Sequence, residues 1–132
     1  FFIVHATPLE PDKWSYILSM GDAEENFAGF SQQTCFVGHS HSAWCVEKSA
    51  KGRHQGLENY PILLNDSARY LINVGSVGQP RDRNPAAALG VLDVENKTYE
   101  LRRVPYDIPV TQRKILAAGL PELLAERLAL GQ

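Results

Sequence analysis

The chain is a succession of short apolar or alternating runs, each broken by a polar or Gly/Pro cluster. Such runs read as strands at residues 1–4, 34–37, 43–48, 61–64, 70–74, 87–94 and 98–105. Trp44 and Val46 fall on one face of their run. Asn65-Asp66-Ser67 joins the fourth and fifth runs as a turn, and Glu95-Asn96-Lys97 marks a hairpin between the last two. Helical signals are fewer. Asp22 is an N-cap candidate with Glu25 three residues on, predicting a helix to residue 31 or 33. Two helices close the chain, over 110–118 with a stop at Gly119, and from Pro121 to about residue 130. Leu116, Leu120, Leu123, Leu124 and Leu128 form a stripe suited to packing on a sheet. Residues 14–18 read as a short ordered segment of either type, with their aromatic residues expected in the core. Residues 8–11 and 50–58 read as loops, the second exposed and carrying His54 on the surface. The sum is a mixed α/β domain without repeats or linkers.

Composition narrows the picture. A chain of 132 residues suffices for one domain with a modest core. A formal net charge of −2 argues against nucleic acid or an anionic membrane as the main partner. The longest apolar runs are a few residues, far short of a membrane span. The two cysteines, Cys35 and Cys45, lie in strand-like sequence and are expected to be buried thiols, which favours a cytoplasmic location. The sequence opens inside an apolar strand that would be an aggregation hazard if left bare, so we expect the C-terminal part of a longer protein.

The chemistry concentrates where strands end. Gly38-His39-Ser40-His41 succeeds the run Thr34-Cys35-Phe36-Val37, and His5 succeeds Phe1-Phe2-Ile3-Val4. Crevices in α/β sheets form at such strand ends. On an extended chain, residues two apart point the same way with Cα atoms ~6.5 Å apart. That separation suits one imidazole on each of two ions roughly 3.5–4 Å apart better than two imidazoles on one ion. A single strand-end histidine is more often a hydrogen-bonded structural residue. Three at two strand ends reverse the balance toward metal. A mononuclear zinc site using all three histidines is the weaker alternative.

The loop from Asn73 to Asp82 ranks second. Its glycines, Gly75 and Gly78, would let backbone N–H groups approach a phosphate. Arg81 suits bidentate contact with phosphate oxygens, weighed equally against an Arg81–Asp82 pair that locks the loop. Asn73 is expected to hydrogen-bond a metal ligand.

The segments His5-Ala6-Thr7-Pro8, Gly38-His39-Ser40-His41, the loop from Asn73 to Asp82, and Arg103-Val104-Pro105-Tyr106-Asp107 resemble the calcineurin-like metallophosphoesterases. The likeness is closest to small bacterial phosphoesterases described as diadenosine tetraphosphatase-like. It implies an α/β fold: the C-terminal half of a four-layer α/β/β/α sandwich with mixed sheets and two C-terminal helices. Residues 1–132 would be part of one such domain, with 109–132 a helical tail packed on the sheet. The resemblance implies that His5 and His39 bind one ion and His41 the other. It implies two divalent ions, Mn²⁺ first and Fe²⁺, Zn²⁺ or Ni²⁺ as alternatives, with Arg81 and Gly75 contacting substrate. The reaction implied is hydrolysis of phosphate mono- or diesters or dinucleoside polyphosphates. The family's D-x-H, G-D and G-N-H segments are absent from this chain. Three imidazoles cannot satisfy two hard ions, so the missing N-terminal half would be the necessary partner and this piece inactive alone. The competing expectation is a non-catalytic interaction module with the same fold.

Overall fold

The computed structural model describes residues 1–132. In chain order the strands are β1 (Phe2–Ile3), β2 (Thr34–Val37), β3 (Ala43–Lys48), β4 (His54–Leu57), β5 (Ile62–Leu63), β6 (Arg69–Val74), β7 (Ala87–Asp93) and β8 (Thr98–Val104). The helices are α1 (Met20–Asn26), α2 (Ile108–Ala117) and α3 (Glu122–Leu130). One sheet has the order β1-β2-β6-β3-β4 and the other β5-β8-β7. Within the first, β1, β2 and β6 run parallel, while β3 and β4 are antiparallel to their neighbours. The second sheet is antiparallel throughout.

Strand β6 explains why the layers stack as they do. All four of its inner residues, Tyr70 to Asn73, are buried, so neither face tolerates water. Leu71 points into a core with Ile17, Phe27, Cys35, Val37 and Val46, beneath α1. Tyr70 and Ile72 point the other way, into a core shared with Cys45 of β3, with Ile62 and Tyr99 of the second sheet and with Leu64 just beyond β5. Period-two alternation thus gives a helix layer, a mixed sheet and an antiparallel sheet. Both cysteines are buried and unpaired, and burial pushes each thiol up to about 12, so they serve as core residues. No helix is long and apolar enough to cross a membrane.

Several boundaries differ from the sequence pattern. Helix α1 starts earlier than expected because Ser19, not Asp22, is its cap. The Ser19 hydroxyl accepts from the Asp22 N–H (3.1 Å) while the Asp22 carboxylate accepts from the Ser19 N–H (2.9 Å), a reciprocal capping box. It also ends earlier, in a 3-10 turn at Phe27–Gly29. A Cβ on Gly29 would collide with the backbone of Pro8 and Leu9, so this turn sits directly on the loop leaving His5. Residues 14–18 form neither helix nor strand. The expected loop at 50–58 contains edge strand β4. There His54 is largely covered, its ring 5.2 Å from that of Phe27 and its Nδ1 3.6 Å from Glu24 Oε1. Strands β5 and β6 do not pair; the turn between them carries the chain from one sheet to the other.

The C-terminal leucine stripe is the largest departure. Leu116, Leu120 and Leu123 are exposed, and α2 and α3 pack chiefly on each other. Ala125 and Leu128 are buried. The end of α3 docks on the loop before β7, where the Arg83 N–H donates to the Gly131 carbonyl (2.9 Å).

Candidate functional site

Because β1, β2 and β6 are parallel, their carboxyl ends lie along one margin of the sheet. His5, the Gly38–His41 segment and Gly75 emerge from these three ends, and antiparallel β3 begins there too. A cleft of about 420 Å³ opens at this margin. His5, His39 and His41 line it with Gly75, and β7 of the second sheet contributes Ala88 and Gly90. The topology therefore gathers the three predicted histidines where α/β folds place ligands.

The local geometry is not the extended one that the spacing suggests. His39 and His41 both have φ near +60°, the left-handed region, whereas Gly38 does not. Non-glycine residues held there are strained by roughly 1–2 kcal/mol each. Two in one four-residue segment require a surround that fixes them. Asn73 supplies much of it. Fully buried, it donates from Nδ2 to the Gly38 carbonyl (2.7 Å) and the Ser40 hydroxyl (2.9 Å). Its Oδ1 accepts from the Gly75 N–H (3.0 Å). The Gly38 N–H donates to the His5 carbonyl (2.9 Å), which locks the first strand end to the second. Gly75, at φ +78°, is required because a Cβ there would sit 2.7 Å from Ala88 Cβ.

Each imidazole of the paired motif is held by a main-chain carbonyl. His39 Nε2 lies 3.0 Å from the Trp14 oxygen, and His41 Nδ1 2.9 Å from the Gln79 oxygen. A carbonyl oxygen only accepts, so each of these nitrogens carries the hydrogen. In the neutral rings the free lone pairs are therefore Nδ1 of His39 and Nε2 of His41. Fixing one ring nitrogen so that the other is available is how metal-binding histidines are oriented. Burial holds the His41 pKa below its ordinary value, opposed by the Gln79 hydrogen bond and assisted by the nearby charges of Arg81, His39 and His5. His5 is exposed, and its ring is 5.2 Å from that of His39.

These residues fit a metal as part of a donor set. No three His, Cys, Asp or Glu side chains converge on one point in this chain. No carboxylate lines the cleft. Hard divalent ions prefer oxygen donors, so further ligands are needed.

The loop residues behave differently from the histidines. Asn73 sits behind the site, bonded to main chain and Ser40 rather than to an imidazole. Gly75 lines the cleft, but its N–H is engaged by Asn73, and the Ser76 hydroxyl takes those of Gly78 (3.3 Å) and Gln79 (3.0 Å). The Arg81 guanidinium is held by Gln79 Oε1 (2.7 Å from NH2), and the Arg81 N–H donates to the His41 carbonyl. Arg81 and Asp82 do not pair. Asp82 instead takes Arg103 of β8 and the Ala43 N–H (3.0 Å), tying the loop to both sheets. Burial raises the Asp82 pKa, but the Arg103 hydrogen bond and charge and the Ala43 and Asn84 N–H groups outweigh it, leaving the carboxyl below its ordinary value.

Two aromatic residues at this end lie outside the expected core. Trp14 is 59% exposed and Tyr16 48%. Tyr16 stacks on His39 (4.2 Å, 13°), and the Trp14 ring lies 5.3 Å from His5 and 5.7 Å from His39. The irregular run between Pro11 and Ile17, which never settles into strand or helix period, was the one sequence signal that they sit in a loop.

No family model matches the sequence. The uncharacterized protein MJ0912 of Methanocaldococcus jannaschii is 38% identical over 131 residues, covering 97% of this chain and 50% of that protein. The crystal structure of a metallophosphoesterase from Sphaerobacter thermophilus superposes with a TM-score of 0.86 at 37% identity, over 98% of this chain and 55% of that one. The hypothetical protein PH1004 from Pyrococcus horikoshii OT3 shares the fold at a TM-score of 0.67 and 18% identity, over 98% of this chain and 46% of its own. The chain spans about half the length of these relatives. It has the mixed α/β, two-sheet architecture of half a metallophosphoesterase-like fold, with three histidines at its strand-end cleft.

Proposed function

We propose that this chain forms the histidine-bearing, C-terminal side of a metal-dependent phosphoesterase. His5 and His39 serve one divalent ion and His41 a second. The remaining ligands, including the carboxylates absent from the cleft, come from the other part of the same domain. The observation that carries this is the opposed anchoring of the two rings, His39 through Nε2 and His41 through Nδ1, which leaves one free nitrogen on each. Likeness to the Sphaerobacter thermophilus metallophosphoesterase supports it.

When bound, such ions supply Lewis-acid stabilisation of charge on phosphoryl oxygens and activation of the attacking water. This chain's part is to hold neutral imidazoles at fixed angles, through Asn73 and the two carbonyl anchors, and to shape the cleft floor with Gly75 and Gly90. The substrate class is a small phosphate mono- or diester or a dinucleoside polyphosphate. Mn²⁺ is the first candidate metal, with Fe²⁺, Zn²⁺ and Ni²⁺ behind it. Two buried free thiols suit a reducing cytoplasm.

The test uses the intact protein. Elemental analysis should find divalent metal, and His41→Ala should lower its stoichiometry measurably. Nitrophenyl phosphate mono- and diesters with added Mn²⁺ should be hydrolysed by the wild type. Unchanged metal content in His41→Ala would overturn the ligand assignment. A metal-free, inactive intact protein would favour a non-catalytic interaction module.

A further inference from the structure

The chain between Leu9 and Ile17 is fixed firmly at its two ends. The Leu9 N–H donates to Asn26 Oδ1 (3.3 Å), and Ile17 is buried in the core beneath α1. Between them lies a short 3-10 turn, Pro11–Lys13, held by local hydrogen bonds. The Thr7 hydroxyl and the Lys13 N–H donate to the Glu10 carbonyl (3.1 Å each), and Lys13 Nζ donates to the Glu10 carboxylate (2.6 Å). The exception is the Trp14 carbonyl, which accepts from His39 Nε2 (3.0 Å) across a separation of 25 residues. Both ends of this bond sit in the left-handed region, Trp14 at φ +53° and His39 at φ +60°. Non-glycine residues persist there only where their surroundings hold them, so the bond joins two backbones that each need a tether. Tyr16 stacks on the same imidazole (4.2 Å, 13°). None of residues 10–16 belongs to either core.

We infer that residues 10–16 are a metal-responsive strap, whose order is coupled through the Trp14 carbonyl to the affinity of the ion on His39. The inference rests on the proposed function for the ion and on the hydrogen bond for the coupling. With Nε2 committed to the carbonyl, the free lone pair of the neutral His39 ring is on Nδ1. A cation drawing on that lone pair pulls electron density from the ring and makes Nε2–H a stronger donor, so the Trp14 carbonyl is held more tightly. Linkage makes the effect reciprocal. Whatever factor the ion adds to the ordering of the strap, an ordered strap adds to the affinity of the ion. The stack on Tyr16 acts in the same direction, because an electron-poor ring is drawn to an aromatic face. His41 has no share in this, since its anchor is the Gln79 carbonyl on another loop. The two ions are therefore unequal: loading at His39 tightens the segment beside the cleft, and loading at His41 does not.

The test follows amide hydrogen exchange of residues 10–16 in the intact protein, stripped of metal and then titrated with Mn²⁺ alone. Exchange there should slow by about fivefold or more on metal binding, the low end of a typical coupling between sites. This measurement needs no variant, so misfolding cannot mask it. Trp14→Pro and Trp14→Ala then ask which part of the residue carries the coupling. Proline cannot adopt φ +53° and turns the carbonyl away. Trp14→Pro should therefore weaken Mn²⁺ binding by about tenfold or more. Its denaturant midpoint should stay close to wild type, because residue 14 lies outside both cores. Alanine keeps the carbonyl and the same left-handed backbone, so Trp14→Ala should bind Mn²⁺ nearly as tightly as wild type. Equal loss in both variants would make the indole ring responsible and overturn the coupling through the carbonyl. Mn²⁺ binding with unchanged exchange in residues 10–16 would overturn the inference and leave the proposed metal site standing. An intact protein that binds no divalent metal would overturn both.

Discussion

The back and the front of the strand-end corner are built to opposite rules. Behind the histidines, Asn73 is fully buried and commits both ends of its amide to Gly38, Ser40 and Gly75. Asp82 is pinned by Arg103 and the Ala43 N–H. In front, His5 is exposed and Trp14 and Tyr16 are largely in water. Stability is concentrated behind the site so that strained and solvent-facing groups can be held in front of it. The difference teaches which substitutions should unfold the corner and which should only disarm it.

The largest effect should come from the back. Asn73→Leu keeps the volume but strands the Gly38 carbonyl, the Ser40 hydroxyl and the Gly75 N–H. At roughly 1–3 kcal/mol per unsatisfied buried group, the loss should be about 3 kcal/mol or more. A denaturant midpoint for the intact protein that matches wild type would show that the front does not depend on this scaffold.

The Asp82–Arg103 pair should give a smaller, pH-dependent effect. Both side chains keep some exposure, so Arg103→Met should cost about 1–2 kcal/mol at neutral pH, below the figure for a fully buried pair. The Asp82 carboxyl is depressed from its ordinary value of 3.8 in the folded state. Its contribution is therefore complete above that value and is lost as pH falls through the lower folded-state pKa. Stability of wild type and Arg103→Met, compared by denaturation from pH 7 downward, should converge in acid. A gap that stays constant to the lowest pH would mean the guanidinium acts by packing alone.

Much of this division was legible from the chain and some was not. The strand ends were, because β2, β3, β6, β7 and β8 are dense apolar or alternating runs with clear punctuation, and His5, His39 and His41 stand directly after two such runs. The conformation of the motif was not. Spacing carries no information about φ, so an extended pair was expected where two left-handed residues stand. The only partner the sequence offers Asp82 is its neighbour Arg81, a pairing weighed equally with phosphate contact by Arg81, whereas the sheets deliver Arg103 from 21 residues away. Edge strand β4 (His-Gln-Gly-Leu) lacks the apolar density that marks a strand and forms because β3 offers it a partner. The leucine stripe kept helical period, but periodicity identifies a face and not what covers it. Leu116, Leu120 and Leu123 remain exposed.

The smallest expected effect is the most diagnostic of how the front is held. Replacing a residue by alanine ordinarily leaves a protein more stable than replacing it by glycine, because glycine has more conformational freedom to lose on folding. At residue 41 the order should invert. With φ at +60°, alanine keeps the left-handed penalty that histidine bears, and glycine is free of it. Both variants lose the same contact with the Gln79 carbonyl, so that term cancels between them. His41→Gly should therefore be about 1 kcal/mol more stable than His41→Ala in denaturant titrations, with bound metal reduced alike in both. If alanine is the more stable, residue 41 relaxes out of the left-handed region once the imidazole is gone. The strain would then belong to the histidine's own contacts rather than to the scaffold of Asn73 and Gly75 behind it.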